Sequence, residues 1–265
     1  MTWFVRADGQ LESMLGTTAY LLETYAEFWE SLTKSGHEIA WHPHLYRHSR
    51  PDDAVNLITE PHEAQDELER LWSQLKDGFH PTAFRNGEGW HIPETYATVE
   101  RFGFGCDSTA IPGRRGANGH PMNWENAPNH PYYPHSADLC RRSISSRPML
   151  EIPMNTWLLQ GPDDPEPRTR YMNPAVHPHL FANAVESWEN ACNDWPAELY
   201  LWVMIFHPDE VLPSASADRL YSRSVPALCQ NLASCAGTLR EAGHIFEWTT
   251  ISDAAERWKI NQRTK

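Results

Sequence analysis

No stretch of the 265-residue sequence approaches the roughly 18 consecutive apolar residues that a membrane-spanning helix requires. The residues after Met1 also lack the basic-then-apolar layout of a secretory signal, so a cytoplasmic protein without a membrane partner is expected. Basic residues are scarce: 22 Lys and Arg stand against 35 Asp and Glu, a formal charge of −13. That balance argues against a nucleic-acid backbone as principal partner and favours a neutral or cationic ligand. Cysteine is sparse too, with five residues, an odd number, and no CxxC pair. Neither a disulfide framework nor a thiolate zinc site is therefore indicated, and buried free thiols are expected. There is no internal repeat and no low-complexity linker. One domain spanning 1–265 fits the length.

What is present is a regular alternation. Thr2-Trp3-Phe4-Val5-Arg6 is β-prone and ends at Asp8-Gly9. Leu21, Tyr25, Phe28, Trp29 and Leu32 recur at helical spacing up to Ser35-Gly36, and His37–Trp41 reads as the next strand. Leu68, Leu71, Trp72, Leu75 and Phe79 form an amphipathic stripe, followed by the strand-like Thr82–Arg85. A helix over Tyr96–Phe102, a strand over Phe104–Asp107 and a long loop over 108–147 come next. Leu150–Pro153 is a brief strand, Pro174–Cys192 a helix, and Leu199–Phe206 an unbroken apolar run of the kind a strand covered on both faces shows. A helix from about Ala217 to Ala242, a strand over His244–Trp248 and a last helix announced by the Thr250–Asp253 capping pattern complete the chain. The class is parallel α/β, and a distorted (β/α) barrel is preferred to an open doubly wound sheet.

In such architectures functional groups collect at the carboxyl ends of the strands. Those ends carry Asp8, then His42-Pro43-His44 with His48 close behind, then Arg85, Asp107, Glu151 and His207. Neutral imidazoles coordinate zinc, iron or another divalent ion. His42 and His44 share a side if the strand continues; His44 and His48 share one if a helical turn begins, so either pair is a candidate chelate. His207 follows the apolar run, where partial desolvation and the acids Asp209 and Glu210 can tune it for proton transfer. Arg85 leads into Asn86-Gly87-Glu88-Gly89-Trp90, where a guanidinium needs a carboxylate and the glycines allow close backbone approach. Trp41, Trp90 and Trp124 are candidates for stacking on a sugar.

These segments, in this order, resemble the polysaccharide deacetylase superfamily. Gly36–His42 is similar to its metal-histidine motif. Phe84-Arg85-Asn86-Gly87 with Gly103–Thr109 resembles its arginine motif, and Phe206-His207-Pro208 its last catalytic motif. The resemblance implies a distorted (β/α) barrel and a divalent metal, most readily zinc, held by one aspartate and two histidines. It implies hydrolysis of an acyl group from an amide nitrogen of an amino sugar or related compound, with a small-molecule or oligosaccharide substrate. Carried over by motif, His42 is the first metal ligand and His44 or His48 the second. Arg85 braces the catalytic acid, and His207 protonates the departing amine. The family's first strand and its paired aspartates have no counterpart ahead of Thr2. Asp8 is the candidate replacement, with Glu151 behind it, and Trp90, Glu151 and Trp41 are the candidate substrate contacts. A non-catalytic carbohydrate-binding or scaffold protein on the same barrel is the alternative.

Overall fold

The computed structural model describes residues 1–47, 56–117, 119–193, 199–213 and 219–263. They form two compact units, the first built from residues 1–110, 115–153 and 249–265 and the second from 111–114 and 154–248.

The first unit is laid on a parallel sheet of β1 (Thr2–Val5), β2 (Glu38–Trp41), β3 (Ala83–Phe84), β4 (Cys106–Asp107) and, after the hairpin of β5 (Pro134–His135) and β6 (Asp138–Arg142), β7 (Leu150–Glu151). Its spatial order is β1-β2-β3-β4-β7. Along it, Val5 is in register with Trp41, Trp41 with Phe84, Phe84 with Asp107 and Asp107 with Glu151. Because successive residues of a strand point to opposite faces, this row shares one face and the residues one step later, His42 and Arg85, take the other. The intervening helices are α1 (Gly9–Leu15), α2 (Tyr20–Thr24), α3 (Ala26–Lys34), α4 (Pro61–Leu75) and α5 (Pro93–Arg101). Proline opens both α4 and α5 at the first turn, where its missing N–H costs nothing. Ala64, Leu68, Leu71 and Leu75 make the buried stripe of α4. Trp41 lies in an aromatic cluster with Trp72, Phe84, Phe102 and Phe104, at centroid separations of 5.3–6.5 Å. Removing one such indole from water contributes about 5 kcal/mol before entropy is counted. At the opposite strand ends, the Glu38 carboxylate accepts from Thr2 Oγ1 (2.7 Å) and Thr82 Oγ1 (2.9 Å), tying β1, β2 and β3 together.

The second unit begins with the antiparallel pair β8 (Thr156–Leu159) and β9 (Arg168–Tyr171), followed by α6 (Pro178–Asn193), the short α7 (Pro208–Val211) and α8 (Val225–Glu241). The chain then returns to the first unit as α9 (Ile251–Arg263), whose Asp253 N–H bonds Thr250 Oγ1 at 3.3 Å, as the capping pattern predicts.

The five parallel strands lie at the five expected segments up to Glu151. The expected strands over Leu199–Phe206 and His244–Trp248 are not strands. The first is fastened by separate bonds instead, Val203 N to Asn155 Oδ1 at 2.5 Å and Ile205 N to Met172 O at 2.7 Å. Trp202 and Met204 pack on the cluster of Leu180, Phe181, Val185, Cys235 and Leu239. An apolar run reports burial, and here helices α6 and α8 supply the burial that sheet neighbours were expected to give. The predicted helix near Ala217 starts at Val225; Ala217 itself lies outside the described residues. Cys106, Cys140, Cys229 and Cys235 are free thiols. No helix among the described residues is long and apolar enough to cross a membrane.

Candidate functional site

The candidate site lies where β2 and β3 end. His42, directly after β2, donates from Nδ1: that nitrogen sits 2.8 Å from the Arg85 carbonyl oxygen, which only accepts, so Nδ1 carries the hydrogen and Nε2 is left with a lone pair. Burial, reinforced by the neighbouring His44, pushes the His42 pKa well below the ordinary imidazole value and keeps the ring neutral. His44 Nδ1 faces Glu88 Oε1 at 3.4 Å and Tyr46 Oη at 3.3 Å. The Tyr46 hydroxyl donates to the same Glu88 oxygen, so His44 Nδ1 is a donor as well. The Glu88 carboxyl is held down at about 2, first by the hydrogen bond from His44, then by that from Tyr46.

With a hydrogen on each Nδ1 the uncharged tautomers leave both Nε2 atoms as acceptors, and these face one another at 3.3 Å. Two lone pairs at that distance repel, so the arrangement calls for a cation between them. A proton on His44 satisfies it, and so does a metal ion: two ligands at 2.0–2.1 Å from a tetrahedral zinc are about 3.3–3.4 Å apart. The carbonyl of Arg85 and the carboxylate of Glu88 are the outer partners that fix ring orientation at such centres. Among the described residues no group of three His, Cys, Asp or Glu side chains is placed to hold a metal, so the fit extends to two ligands. His48, the other expected partner, lies outside the described residues.

The local backbone makes this approach possible. A Cβ on Gly87 would stand 2.5 Å from the His44 ring, so only glycine lets the loop after β3 close on the imidazole. Glu88 takes φ +57°, a left-handed conformation that L side chains rarely adopt, and so directs its carboxylate at His44 and Tyr46.

Asp8 is fully buried and fully employed. Its Oδ1 accepts from Gln10 N and Leu11 N, each at 3.1 Å, as the cap of α1. Its Oδ2 accepts from Arg6 Nη2 at 2.8 Å and from His44 N at 3.1 Å. The residue therefore positions His44 through its backbone rather than presenting a free oxygen. Arg85 is buried, its Nε donating to Ser108 O (2.8 Å) and its Nη2 to Ser108 Oγ (3.0 Å), with the guanidinium 3.8 Å from the Phe4 ring centroid. It fixes β3 against the turn after β4, and its carbonyl orients His42.

Three of the expected substrate contacts are enclosed: Trp41 and Glu151 at 0% exposure and Trp90 at 2%. This corrects their expected role. Trp41 is in register with Val5 and Phe84, on the helix-covered face. Trp124, also enclosed, donates to Gly89 O. Glu151 forms a buried pair with Asp107, beside His91 of the segment leading into α5, whose Nε2 lies 3.4 Å from Asp107 Oδ2. Glu151 Oε1 accepts from Ala110 N at 2.9 Å and Asp107 Oδ1 from Thr109 Oγ1 at 2.6 Å. Burial pushes Asp107 up to about 6, and burial with the Asp107 charge pushes Glu151 well above the ordinary range. One proton between the two carboxyls gives their otherwise unpartnered oxygens a partner.

In the second unit, His207 caps α7 and is 56% exposed, with Nδ1 at 3.3 Å from Glu210 Oε1. Glu210 also accepts from His207 N (2.7 Å) and Asn173 Nδ2 (2.8 Å). Glu210 therefore orients the imidazole and caps the turn.

Tyr46 and Glu88 were not singled out from the sequence. The signal available for Glu88 was an acid held between two glycines directly after a strand.

No family model matches this chain, and no curated protein matches it either. A solved structure does: the crystal structure of a "putative polysaccharide deacetylase" from Mycobacterium smegmatis aligns with a TM-score of 0.51 over 98% of this chain and 72% of that one, at 18% sequence identity. The likeness shows that the two chains share a mixed α/β fold with its parallel sheet.

Proposed function

We propose that the chain is a metal-assisted amide hydrolase of the polysaccharide deacetylase type, removing an acyl group from a nitrogen on an amino sugar or related compound, on a (β/α) barrel. The observation that carries this reading is the facing Nε2 pair of His42 and His44, with both outer nitrogens already committed to donation. His42 and His44 would hold the ion, zinc suiting the ligand set and spacing. When bound, such an ion polarises an acyl carbonyl and lowers the pKa of water. Glu88 and the Arg85 carbonyl keep the rings turned, and Asp8 sets the backbone of His44. The shared fold of the Mycobacterium smegmatis protein supports the family of chemistry.

A second reading, a non-catalytic carbohydrate-binding or scaffold protein, is favoured by two observations: Asp8 has no free oxygen, and no third metal ligand is found among the described residues. Metal analysis separates the two. Purified protein should retain about one zinc per chain and His42→Ala should lose it. Zinc-loaded protein should deacetylate a chitin oligosaccharide, and His42→Ala should lose that activity together with the metal. Protein that holds no stoichiometric metal, and gains no activity when supplied with it, selects the binding reading.

A further inference from the structure

The second unit contains a cavity of about 270 Å³ that the hydrolase reading does not use. One wall is a single face of the β8–β9 hairpin, where Trp157 is paired across from Arg170 and Leu159 across from Arg168. A third guanidinium, Arg114, comes from the turn at 112–114. That turn is fastened to β8 by Thr156 Oγ1 donating to Pro112 O at 2.6 Å. Gly113, at φ +75°, leaves its Cα side 3.4 Å from Thr169 Cγ2 where a Cβ would stand, which brings Arg114 against β9.

The lining is a set of donors short of acceptors. Asp164 accepts from Arg170 Nη2 (2.6 Å), lies 3.3 Å from Arg168 Nε, and also takes Gly161 N (2.8 Å), so one carboxylate serves two of the guanidiniums. Glu210 sits behind Tyr171, occupied by His207 and Asn173. Among the described residues no carboxylate lines the cavity itself. Arg170 Nε and Trp157 Nε1 are buried with no acceptor among the described residues. Buried donors in a folded protein are normally satisfied, so two unpartnered ones on residues that line the same cavity point to an absent acceptor. Thr169, Tyr171, Asn173 and Tyr221 add neutral polar groups, and Leu159, Val176, Phe181 and Leu220 form an apolar part of the lining. In a chain of formal charge −13, a cavity bordered by three arginines over an apolar floor is a local reversal of sign.

We propose that this cavity binds a small organic carboxylate. Arg114 and Arg170 hold the carboxylate, the Trp157 indole N–H supplies a third hydrogen bond, and the hydrocarbon body rests on Leu159, Phe181 and Leu220. A planar carboxylate matches the guanidinium fork, and the apolar floor suits an organic acid better than inorganic phosphate. The inference is independent of any metal at His42 and His44.

The test is calorimetric titration of the full chain with benzoate, with its neutral isostere benzamide, and with inorganic phosphate. Benzoate should bind at least tenfold more tightly than benzamide, since hydrogen bonds to charged groups carry about that factor or more. Arg114→Met, which keeps the aliphatic stem, should weaken benzoate about tenfold to a hundredfold, while Arg219→Met, at an exposed ion pair outside the cavity, should leave it unchanged. Equal binding of benzoate and benzamide overturns the proposal without recourse to any variant. So does phosphate binding more tightly than benzoate, or an Arg114→Met protein that is folded by circular dichroism and binds benzoate as before.

Discussion

At the scale of single residues, the site turns on which ring nitrogen carries a hydrogen. Arg85 O and Glu88 Oε1 take the two Nδ1 hydrogens, so both Nε2 lone pairs are directed at one point. Glu88→Gln keeps the shape but replaces a full negative charge beside His44 with a weak acceptor dipole. Zinc affinity should fall about tenfold to a hundredfold, the usual cost of losing an outer partner at a metal centre, as measured by competition with a chromophoric chelator. Gly87→Ala should weaken zinc comparably with no change of charge, because the new methyl would stand 2.5 Å from His44 Cδ2 and the ring must move. If both variants hold zinc as the natural chain does, the orientation of His44 is not what sets the affinity.

At the scale of elements, β4 and β7 meet with their last residues, Asp107 and Glu151, side by side in the interior. Both carboxyls titrate above their ordinary values because burial disfavours the charge, so the folded chain holds protons that the unfolded chain has already released. That contribution to stability is complete below about pH 4 and is lost as pH rises, through about 6 for Asp107 and higher for Glu151. Glu151→Gln retains the acceptor for Ala110 N and offers Asp107 an N–H, so urea unfolding at about pH 4.5 and pH 7.5 should show a smaller loss than in the natural chain. Equal losses in the two proteins would place the pH dependence elsewhere. The strand ends that matter here were legible, because β-prone runs closed by polar residues mark the carboxyl edge of a parallel sheet whatever the details of packing. His42, His44, Arg85, Asp107 and Glu151 were all found that way. What composition and motif could not tell was which face each side chain takes: Trp41 and Glu151 follow the Val5–Phe84 row into the helix-covered interior, while His42 and Arg85, one residue on, turn the other way. Strict alternation along the strands carries that information. Leu199–Phe206 was misread for a different reason, since an apolar run satisfied by α6 and α8 looks the same as one satisfied by flanking strands.

At the scale of the whole molecule, two ligand chemistries are assigned to two separately built units, a divalent cation to the first and an organic carboxylate to the second. A ligand that binds the folded state stabilises it by about 2.7 kcal/mol at a free concentration one hundred times Kd, and hydrogen exchange registers that gain in the segments whose opening releases the ligand. Zinc should therefore slow exchange in the segments at 42–46 and 85–90, where His44 N is bonded to Asp8 and Gly87 N to Pro43 O. Benzoate should slow it along β8 and β9, whose cross-strand bonds frame the cavity. Arg114→Met should remove the benzoate effect and leave the zinc effect, and His42→Ala the reverse. Zinc protection concentrated on 156–171, or benzoate protection concentrated on 42–46, would mean that the charges read from the lining residues do not select the ligand. The assignment of one chemistry to each unit would then have to be given up.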